Sequence, residues 1–186
     1  IRRPYSIASP PALNDQLHLC LKLVNDGLIT NWFWKLKEGE KIRVQGPYGK
    51  FVLPDQIDSD LLFIATGTGV APFRSMIYDL LERVGYHRKS YLLFGVRFDH
   101  SIPYDVEWRV LSKNHSNFIY IPTVSRPSAA WSGEQGYVQT KIEKFFSSPD
   151  SKQVYICGLN EMVKSVREAC SRWGYRDDQI RYERYD

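Results

Sequence analysis

Cysteine and long apolar runs are scarce in this sequence. Its 186 residues include three cysteines and no C-x-x-C motif. An odd number of widely spaced cysteines argues against a disulfide framework, and the missing C-x-x-C gives no indication of zinc or an iron–sulfur cluster. The longest apolar runs, such as residues 61–65, are far too short to span a bilayer. We therefore expect a reducing, cytoplasmic location and no membrane span.

The sequence has little excess of charge of either sign, and it has few histidines. The 25 basic and 21 acidic residues give a net charge of +4, and the basic residues are scattered rather than grouped in a stripe that would bind nucleic acid. The four histidines share neither a helical face nor ligand spacing, so no metal site is expected. No G-x-S-x-G motif indicates a hydrolase triad. The small excess of cations would suit anionic small ligands or an acidic protein partner.

The two parts of the chain have different hydrophobic periods. Residues 1–56 read as strands and turns, with an alternating pattern over 17–24 and short strand candidates at 41–44 and 51–53. From residue 61, short apolar runs alternate with stretches of helical spacing, which predicts βαβ units and a parallel sheet. The predicted strands are 61–65, 91–96, 118–121 and 154–157, and the predicted helices are 73–84, 104–113, 138–146 and 162–173. We place the domain boundary after residue 56.

A glycine-containing turn joins the first predicted strand of the second part to its first predicted helix. Residues 66–72 read Thr-Gly-Thr-Gly-Val-Ala-Pro. Glycines there let a phosphate approach the backbone, and the helix N-terminus offers free N–H groups and positive potential. The G-x-G differs from the full Rossmann fingerprint, because the third glycine and the later acidic residue are missing. A nucleotide site and an ordinary tight turn both explain the pattern.

Two segments of the first part also suit a nucleotide cofactor. Arg3, Tyr5 and Ser6 combine a cation, a ring and a hydroxyl in one extended segment. Thr30 or Asn31 would be the N-cap of a helix-like stretch, whose free N–H groups would suit a pyrophosphate. An edge strand with a solvated arginine and a plain helix cap are the alternative interpretations.

A third segment, in the second part, suits an adenosine. Ser125 and Arg126 follow the predicted strand 118–121, and Tyr137 comes eleven residues later. A hydroxyl and a guanidinium suit a ribose or its 2′-phosphate, and a tyrosine ring can stack on adenine. A polar loop with a surface arginine is the alternative interpretation.

Taken in order along the chain, these pieces resemble the ferredoxin–NADP reductase superfamily. The motifs that carry the resemblance are Arg-Pro-Tyr-Ser, Gly-x-x-Thr, Gly-Pro-Tyr-Gly-x-Phe, Thr-Gly-Thr-Gly-x-Ala-Pro, Phe-Gly-Val-Arg, Ser-Arg and Tyr-Ile-Cys-Gly, and they run from Arg3 to the end of the chain. The resemblance implies the C-terminal part of an antiparallel flavin-binding β-barrel over residues 1–56. It implies an α/β NAD(P)-binding domain over residues 57–186, with five or more parallel strands flanked by helices.

The resemblance also implies roles for single residues. In the first part, Arg3 would hold a flavin phosphate, Tyr5 would stack on the isoalloxazine, and Ser6 would hydrogen-bond near its N5. Ile29 and Thr30 would contact the flavin pyrophosphate.

In the second part, Thr68 and Gly69 would line the nicotinamide or its pyrophosphate, and Cys157 would lie close to the nicotinamide. Ser125, Arg126 and Tyr137 would bind the adenosine end of NADP. Near the end of the chain, Glu183 would lie by the site and Tyr185 would cover the flavin face that the nicotinamide must reach, with an exposed tail as the alternative. The residues expected to carry the chemistry are Ser6, Cys157 and Glu183.

The sequence departs from the family pattern at two places. Further barrel strands normally precede the Arg-x-Tyr-Ser segment, so we expect that the sequence begins within a domain of a longer protein. Glu134 stands where an additional cation is expected before Tyr137 and would repel a 2′-phosphate if it were close. The predicted preference is therefore only slightly for NADP over NAD.

The resemblance implies a flavin-dependent oxidoreductase that transfers a hydride from NAD(P)H to FAD, with FMN as the alternative cofactor. The electrons would pass to a ferredoxin-like or other acceptor protein. A nucleotide-binding regulatory module without flavin turnover is one alternative. An electron-transfer subunit that does not oxidise NAD(P)H is the other.

Overall fold

The computed structural model describes residues 2–13, 15–82 and 86–185. In this part of the chain the strands form one sheet in the order β4-β3-β2-β1-β5-β6, and every paired neighbour runs parallel. The strands are β1 (Asp60–Thr66), β2 (Ser90–Val96), β3 (Phe118–Val124), β4 (Glu134–Gln135), β5 (Lys152–Leu159) and β6 (Ile180–Tyr185). The helices are α1 (Leu28–Lys35), α2 (Ala71–Glu82), α3 (Asp105–Asn114), α4 (Ile142–Phe146) and α5 (Asn160–Arg172).

The sheet is apolar on both faces because helices cover both sides. Residues 61–65 of β1 are all buried, as expected for a central parallel strand. One face packs against α2 and α3, where Phe73 and Trp108 are fully buried. The other face packs against α4 and α5, through side chains such as Phe146 and Val166. The predicted α/β fold with a parallel sheet flanked by helices is confirmed.

The strand order reverses at β1, which lies between β2 and β5. The chain first builds the sheet outward through β2 and β3, and then returns to add β5 and β6 on the other side. In such sheets the crevice for a ligand lies outside the carboxyl ends of the strands at the reversal point. The carboxyl ends of β1, β5 and β6 therefore define where a cofactor would bind.

Two strands were missed by the sequence analysis. β4 has only two residues, and β6 occupies a segment that was interpreted as part of the C-terminal ending. β6 is an edge strand with mostly exposed or half-exposed side chains, so it lacks the apolar run that marks a buried parallel strand. The predicted helix at 138–146 is a 3₁₀ turn followed by the short α4. The end of the predicted helix 73–84 includes Val84, which lies outside the described residues.

The first part of the chain has fewer paired strands than its sequence pattern predicts. In its described residues the only β pairing is an isolated antiparallel bridge between Ile7 and Leu19. Segments 17–24, 41–44 and 51–53 belong to no strand ladder. Alternation shows which side of an extended segment is apolar, but a strand exists only where a second segment pairs with it. This part packs onto the α2 face of the sheet through Phe51 and Leu53.

None of the helices in the described part of the chain is long and apolar enough to cross a membrane.

Candidate functional site

Ser6 is joined to the carboxyl end of β6 by two hydrogen bonds. The Ser6 hydroxyl donates to Glu183 Oε1 at 2.9 Å, and the Tyr185 hydroxyl donates to Ser6 Oγ at 2.6 Å. A serine hydroxyl has one proton and two acceptor lone pairs, so this arrangement uses its donor and leaves one acceptor position. Three residues that the sequence analysis singled out are thus in direct contact.

Cys157 lies beside this group of hydrogen bonds. Parallel pairing places Cys157 opposite Glu183 and Leu159 opposite Tyr185. The Cys157 side chain is fully buried, and this burial raises the pKa of its thiol to about 12, although a hydrogen bond with Tyr185 acts in the opposite direction. Burial also raises the pKa of the Tyr185 hydroxyl. At neutral pH both groups are therefore uncharged, and the site contains a neutral thiol rather than a thiolate.

The turn at 67–70 packs directly against the end of β5. A Cβ atom at Gly69 would overlap the carbonyl group of Cys157, so only glycine allows this approach. A Cβ atom at Gly158 would come within 2.5 Å of Thr66 Oγ1. Thr68, at the middle of the turn, is half-buried. Gly69 therefore packs directly against Cys157, and Thr68 precedes it in the same turn after β1.

Thr66 is a site residue that the sequence analysis did not single out. It is the last residue of β1, and its hydroxyl is buried without a hydrogen-bond partner among the described residues. A buried hydroxyl without a partner is costly, and it often marks a place where a ligand or water belongs. This hydroxyl lies next to Gly158, where the carboxyl ends of β1 and β5 adjoin, so a polar group placed there could satisfy it. The Thr-Gly-Thr-Gly motif included Thr66, but its burial is visible only in the structure.

Helix α1 begins earlier than predicted, and the predicted N-cap is wrong. The helix starts at Leu28 with Gly27 as its N-cap, so Thr30 and Asn31 lie inside the first turn. Their side chains bond back to the preceding turn: Thr30 Oγ1 donates to Gly27 O at 3.3 Å, and Asn31 Nδ2 donates to Val24 O at 2.8 Å. The backbone N–H groups of Ile29 and Thr30 are among the first-turn groups that have no acceptor within a helix, which fits a phosphate ligand.

Tyr5 contacts α1, whereas Arg3 is exposed. The Tyr5 ring packs edge-on against Phe33 of α1, with ring centroids 5.7 Å apart. Arg3 is exposed, and its Nη1 donates to the carbonyl of Arg2 at 2.9 Å. The structure therefore packs Tyr5, the neighbour of Ser6 in the chain, against the second turn of α1, whereas Arg3 is exposed.

The proposed adenosine residues lie at the carboxyl end of β3. The backbone N–H of Ser125 donates to Val96 O, and that of Arg126 donates to Arg97 O, so the chain past β3 runs beside the chain past β2. Tyr137 is 65% exposed, which leaves its ring free to stack. Arg97 is a second guanidinium residue at this place. It belonged to the Phe-Gly-Val-Arg motif, but only the pairing of the two loops shows that it adjoins Arg126.

Glu134 is not a free negative charge. Its carboxylate lies 3.2 Å from Lys141 Nζ and is also hydrogen-bonded to Lys144. These lysines hold the pKa of Glu134 below its usual range, and the hydrogen bond from Lys144 is the largest cause. Two cations on one carboxylate leave a net positive charge, so the expected repulsion of a 2′-phosphate is offset.

The family models that match this chain describe two domains. The oxidoreductase FAD-binding domain matches residues 1–53, and the oxidoreductase NAD-binding domain matches residues 63–168. The chain is 36% identical to ferredoxin–NADP reductase B of Sorangium cellulosum (strain So ce56), over 100% of this chain and 79% of that protein. It is also 36% identical to the reductase component DmpP of phenol 2-monooxygenase from Pseudomonas sp. (strain CF600), over 88% of this chain and 47% of that protein.

Solved structures show the same fold. A ferredoxin NADP⁺ reductase from Neisseria gonorrhoeae with bound FAD and NADP matches with a TM-score of 0.80 and 25% identity, over 98% of this chain and 79% of that chain. The Amycolatopsis reductase GcoB matches with a TM-score of 0.89 and 25% identity, over 99% of this chain and 56% of that chain. The chain thus spans about four fifths of some relatives and about half of others.

The fold, the crevice at the strand reversal and the matched domains define an oxidoreductase that uses FAD and a nicotinamide nucleotide. The chain belongs to the ferredoxin–NADP reductase superfamily. The resemblance seen in its motifs, the enzyme class and the expectation of FAD with a nicotinamide cofactor are thereby confirmed.

Proposed function

We propose that this protein transfers a hydride from NADPH to FAD and passes the electrons to an acceptor protein. The observation that carries this proposal is the contact of Ser6, Glu183 and Tyr185 beside Cys157 at the carboxyl edge of the sheet. It joins the segment with the flavin-binding motif to the segment with the nicotinamide-binding motif. A site where both cofactors meet is what direct hydride transfer needs.

The first part of the chain supplies the groups that would hold FAD. Tyr5 would pack against the ring system, the first-turn N–H groups of α1 at Ile29 and Thr30 would bind the pyrophosphate, and Arg3 would neutralise it. Bound FAD would accept a hydride and release electrons to the acceptor. The Ser6 hydroxyl donates its hydrogen bond to Glu183 and has one lone pair without a partner, so it can accept one further hydrogen bond.

The second part supplies the groups that would hold the nicotinamide. The Thr66 hydroxyl needs a partner, and Thr68, Gly69 and Cys157 shape the crevice next to it. Since its thiol is neutral, Cys157 acts here as a small packing surface and not as a nucleophile. Tyr185 contacts both Ser6 and Cys157, so its ring must move aside for a nicotinamide to reach the same place.

Glu183 would hold and release the proton that accompanies flavin reduction and reoxidation. Its Oε1 accepts from Ser6, and its side chain is only partly buried, so it connects the closed site with solvent. A proton on Glu183 would reach the site through the Ser6 hydroxyl, which can reorient to donate inward.

NADPH is the proposed nucleotide because cationic side chains outnumber carboxylates where the adenosine of the nucleotide would bind. Arg126 and Arg97 lie together, and Lys141 and Lys144 offset the charge of Glu134. A dianionic 2′-phosphate gains most from guanidinium groups that can form paired hydrogen bonds. The relatives named above include a ferredoxin NADP⁺ reductase with bound NADP.

The proposed acceptor is an acidic electron-transfer protein such as a ferredoxin. A ferredoxin–NADP reductase covers the whole of this chain in sequence, and the chain carries a net charge of +4, which favours encounter with an acidic partner. The electron-transfer subunit without NAD(P)H oxidation is less well supported, because Tyr185 hydrogen-bonds both to Ser6 and to Cys157 in the proposed nicotinamide crevice.

An anaerobic titration of the full protein tests the proposal. The flavin absorption band is recorded while NADPH and then NADH is added in separate runs. We expect NADPH to bleach the band when its excess over flavin is less than one equivalent, and NADH to be less effective. A flavin band that neither nucleotide bleaches would instead establish the electron-transfer subunit. Failure to bind FAD, while a nucleotide still binds, would establish the regulatory module.

A further inference from the structure

Arg74 is a buried cation in the first turn of α2. The residue is only 9% exposed. Burial of a charge is costly, and a cation near a helix N-terminus also opposes the helix dipole. Both costs must be offset by contacts, and the proposed cofactor chemistry accounts for none of them. The burial of the Arg74 charge therefore needs a separate explanation.

The contacts of Arg74 use every side of its guanidinium. Nε donates to Glu107 Oε1 at 2.6 Å, and Nη2 donates to Glu107 Oε2 at 3.2 Å. A bidentate ion pair therefore joins α2 and α3. Nη1 donates to Ala8 O at 2.8 Å and lies 3.3 Å from His18 Nδ1. Arginine has no acceptor atom, so His18 Nδ1 must accept this hydrogen bond. The rings of Tyr78 and Tyr104 contact the guanidinium at 5.3 and 5.0 Å.

These contacts cross from the sheet domain to the segment that contains Ser6. Ala8 is fully buried, and its N–H donates to His18 O at 2.9 Å, next to the bridge between Ile7 and Leu19. Ala8 lies two residues after Ser6. The N-terminal segment is thus tied to β6 through Ser6 and to α2 through Ala8, and the Ala8 N–H and the Ile7 bridge join it to residues 18–19. Arg74 also contacts His18 of that neighbouring segment, so loss of Arg74 would remove the hydrogen bonds that tie both segments to α2.

We propose that Arg74 is a positioning residue for hydride transfer: it holds the Ser6 segment at a fixed distance from the nicotinamide crevice. The inference rests on the proposed function. An arginine is required because a single lysine ammonium cannot reach Glu107 in a bidentate way and Ala8 O at the same time. A stabilising role alone is a weak explanation, since a buried ion pair can often be replaced by apolar residues at little cost in stability.

Arg74→Met and Arg74→Lys in the flavin-loaded protein test this role, with Arg109→Met as the matched control. Arg109 pairs with Asp105 on α3 and is exposed, so its loss removes an ion pair of α3 without touching Ala8 or His18. If Arg74→Met alone does not fold, Arg74→Met combined with Glu107→Gln removes both charges. Two quantities are measured in each variant: hydrogen exchange of the Ala8 and His18 amides, and the limiting rate of flavin reduction by saturating NADPH in stopped flow.

We expect exchange at Ala8 and His18 to rise at least tenfold in Arg74→Met and to remain unchanged in Arg109→Met. We expect the limiting reduction rate per bound flavin to fall about 10- to 100-fold, because a displacement of about 1 Å has an effect of that size, with the NADPH dissociation constant within about twofold of the parent. Arg74→Lys should lie between the two.

Two results would overturn the inference while the proposed function stands. One is unchanged exchange at Ala8 and His18 in Arg74→Met, which would show that Arg74 does not hold this segment. The other is faster exchange with an unchanged reduction rate, which would show that the segment need not be held for hydride transfer. If NADPH does not reduce the flavin of the parent protein, the proposed function fails and takes the positioning role with it.

Discussion

The Tyr185 hydroxyl donates a 2.6 Å hydrogen bond to Ser6 across 179 positions of the sequence. Tyr185 ends the edge strand β6, and Ser6 lies in the N-terminal segment, so this contact closes the site at the sheet edge. It also places the tyrosine ring beside Cys157, whose thiol it approaches. Much of the proposed chemistry depends on how these side chains separate when a nucleotide enters.

Replacement of Ser6 by alanine should slow flavin reduction about tenfold, the effect expected from the loss of about 1.4 kcal/mol of hydrogen bonding in the transition state. The NADPH dissociation constant should hardly change, because the proposed nucleotide contacts lie elsewhere. Stopped-flow reduction at several NADPH concentrations separates the two quantities. Ser112→Ala, which removes a hydroxyl that donates to Phe118 O at the amino end of β3, is the control. Equal limiting rates in Ser6→Ala and the parent would refute the proposed role.

Removal of the Tyr185 ring should tighten nucleotide binding. The ring is half-buried against Cys157 and Ser6, so Tyr185→Ala opens the crevice, whereas Tyr185→Phe keeps the ring and removes the hydrogen bonds of its hydroxyl with Ser6 and Cys157. We expect the dissociation constant for NADP⁺, measured by difference spectroscopy, to fall at least fivefold in Tyr185→Ala and to change little in Tyr185→Phe, which keeps the ring in place. Tyr182→Ala, an exposed residue of the same strand, should behave like the parent. Weaker binding in Tyr185→Ala would mean that the ring holds the nucleotide instead of excluding it.

Arg126→Ala should weaken the binding of NADPH much more than the binding of NADH. A charged hydrogen bond to a phosphate contributes about 1.5–3 kcal/mol, which corresponds to a loss of roughly 10- to 100-fold in affinity for NADPH. NADH lacks the 2′-phosphate, so its affinity should change by less than about twofold. Titration calorimetry with NADP⁺ and NAD⁺, which bind without reducing the flavin, measures this difference, and Arg176→Ala serves as an exposed-arginine control. Equal losses for both nucleotides would show that Arg126 does not read a 2′-phosphate.

The Cys157 thiol should be unreactive in the folded protein. Burial raises its pKa to about 12, and the pKa of Cys170, which is equally buried on α5, is raised to about 12 for the same reason. Iodoacetamide at pH 8 should therefore modify both cysteines only after unfolding in guanidinium chloride, as measured by peptide mass spectrometry. Cys170 is the internal control. Fast labelling of Cys157 beside a protected Cys170 would reveal an activated thiolate and contradict the packing role.

The same shift predicts how stability depends on pH. The folded protein keeps the Cys157 proton up to a pKa of about 12, whereas the unfolded chain releases it near 9.0. The unfolded state therefore binds fewer protons between these values, and the free energy of unfolding should fall as pH rises through this window. Cys157→Ala should reduce the slope of unfolding free energy against pH between 9 and 12, measured by denaturant unfolding. An unchanged slope would mean that the thiol titrates alike in both states.

Local pattern was sufficient for the elements whose side chains are buried on both faces. The apolar run at 61–65 and the glycine turn after it predicted a buried strand and a helix start, since burial and turn geometry act on neighbouring residues. The helix at α1 was found but its start was wrong, because Gly27 takes the cap while the side chains of Thr30 and Asn31 turn back to the preceding carbonyls. Several candidate site residues, such as Ser6 and Arg126, were singled out by their side-chain chemistry, but their individual roles, and the choice of Cys157 and Glu183, came from the family resemblance.

The amino-acid sequence by itself determined the parallel α/β architecture and the motif order that identifies the superfamily, because both depend on residues close together in the chain. Only the tertiary structure decided that β6 exists, that Lys141 and Lys144 offset Glu134, and that Arg74 reaches Ala8. An edge strand has no continuous apolar signal, and an ion pair or hydrogen bond between distant residues has no local pattern at all. Such contacts form only when packing of the sheet and helices brings their partners within hydrogen-bond distance.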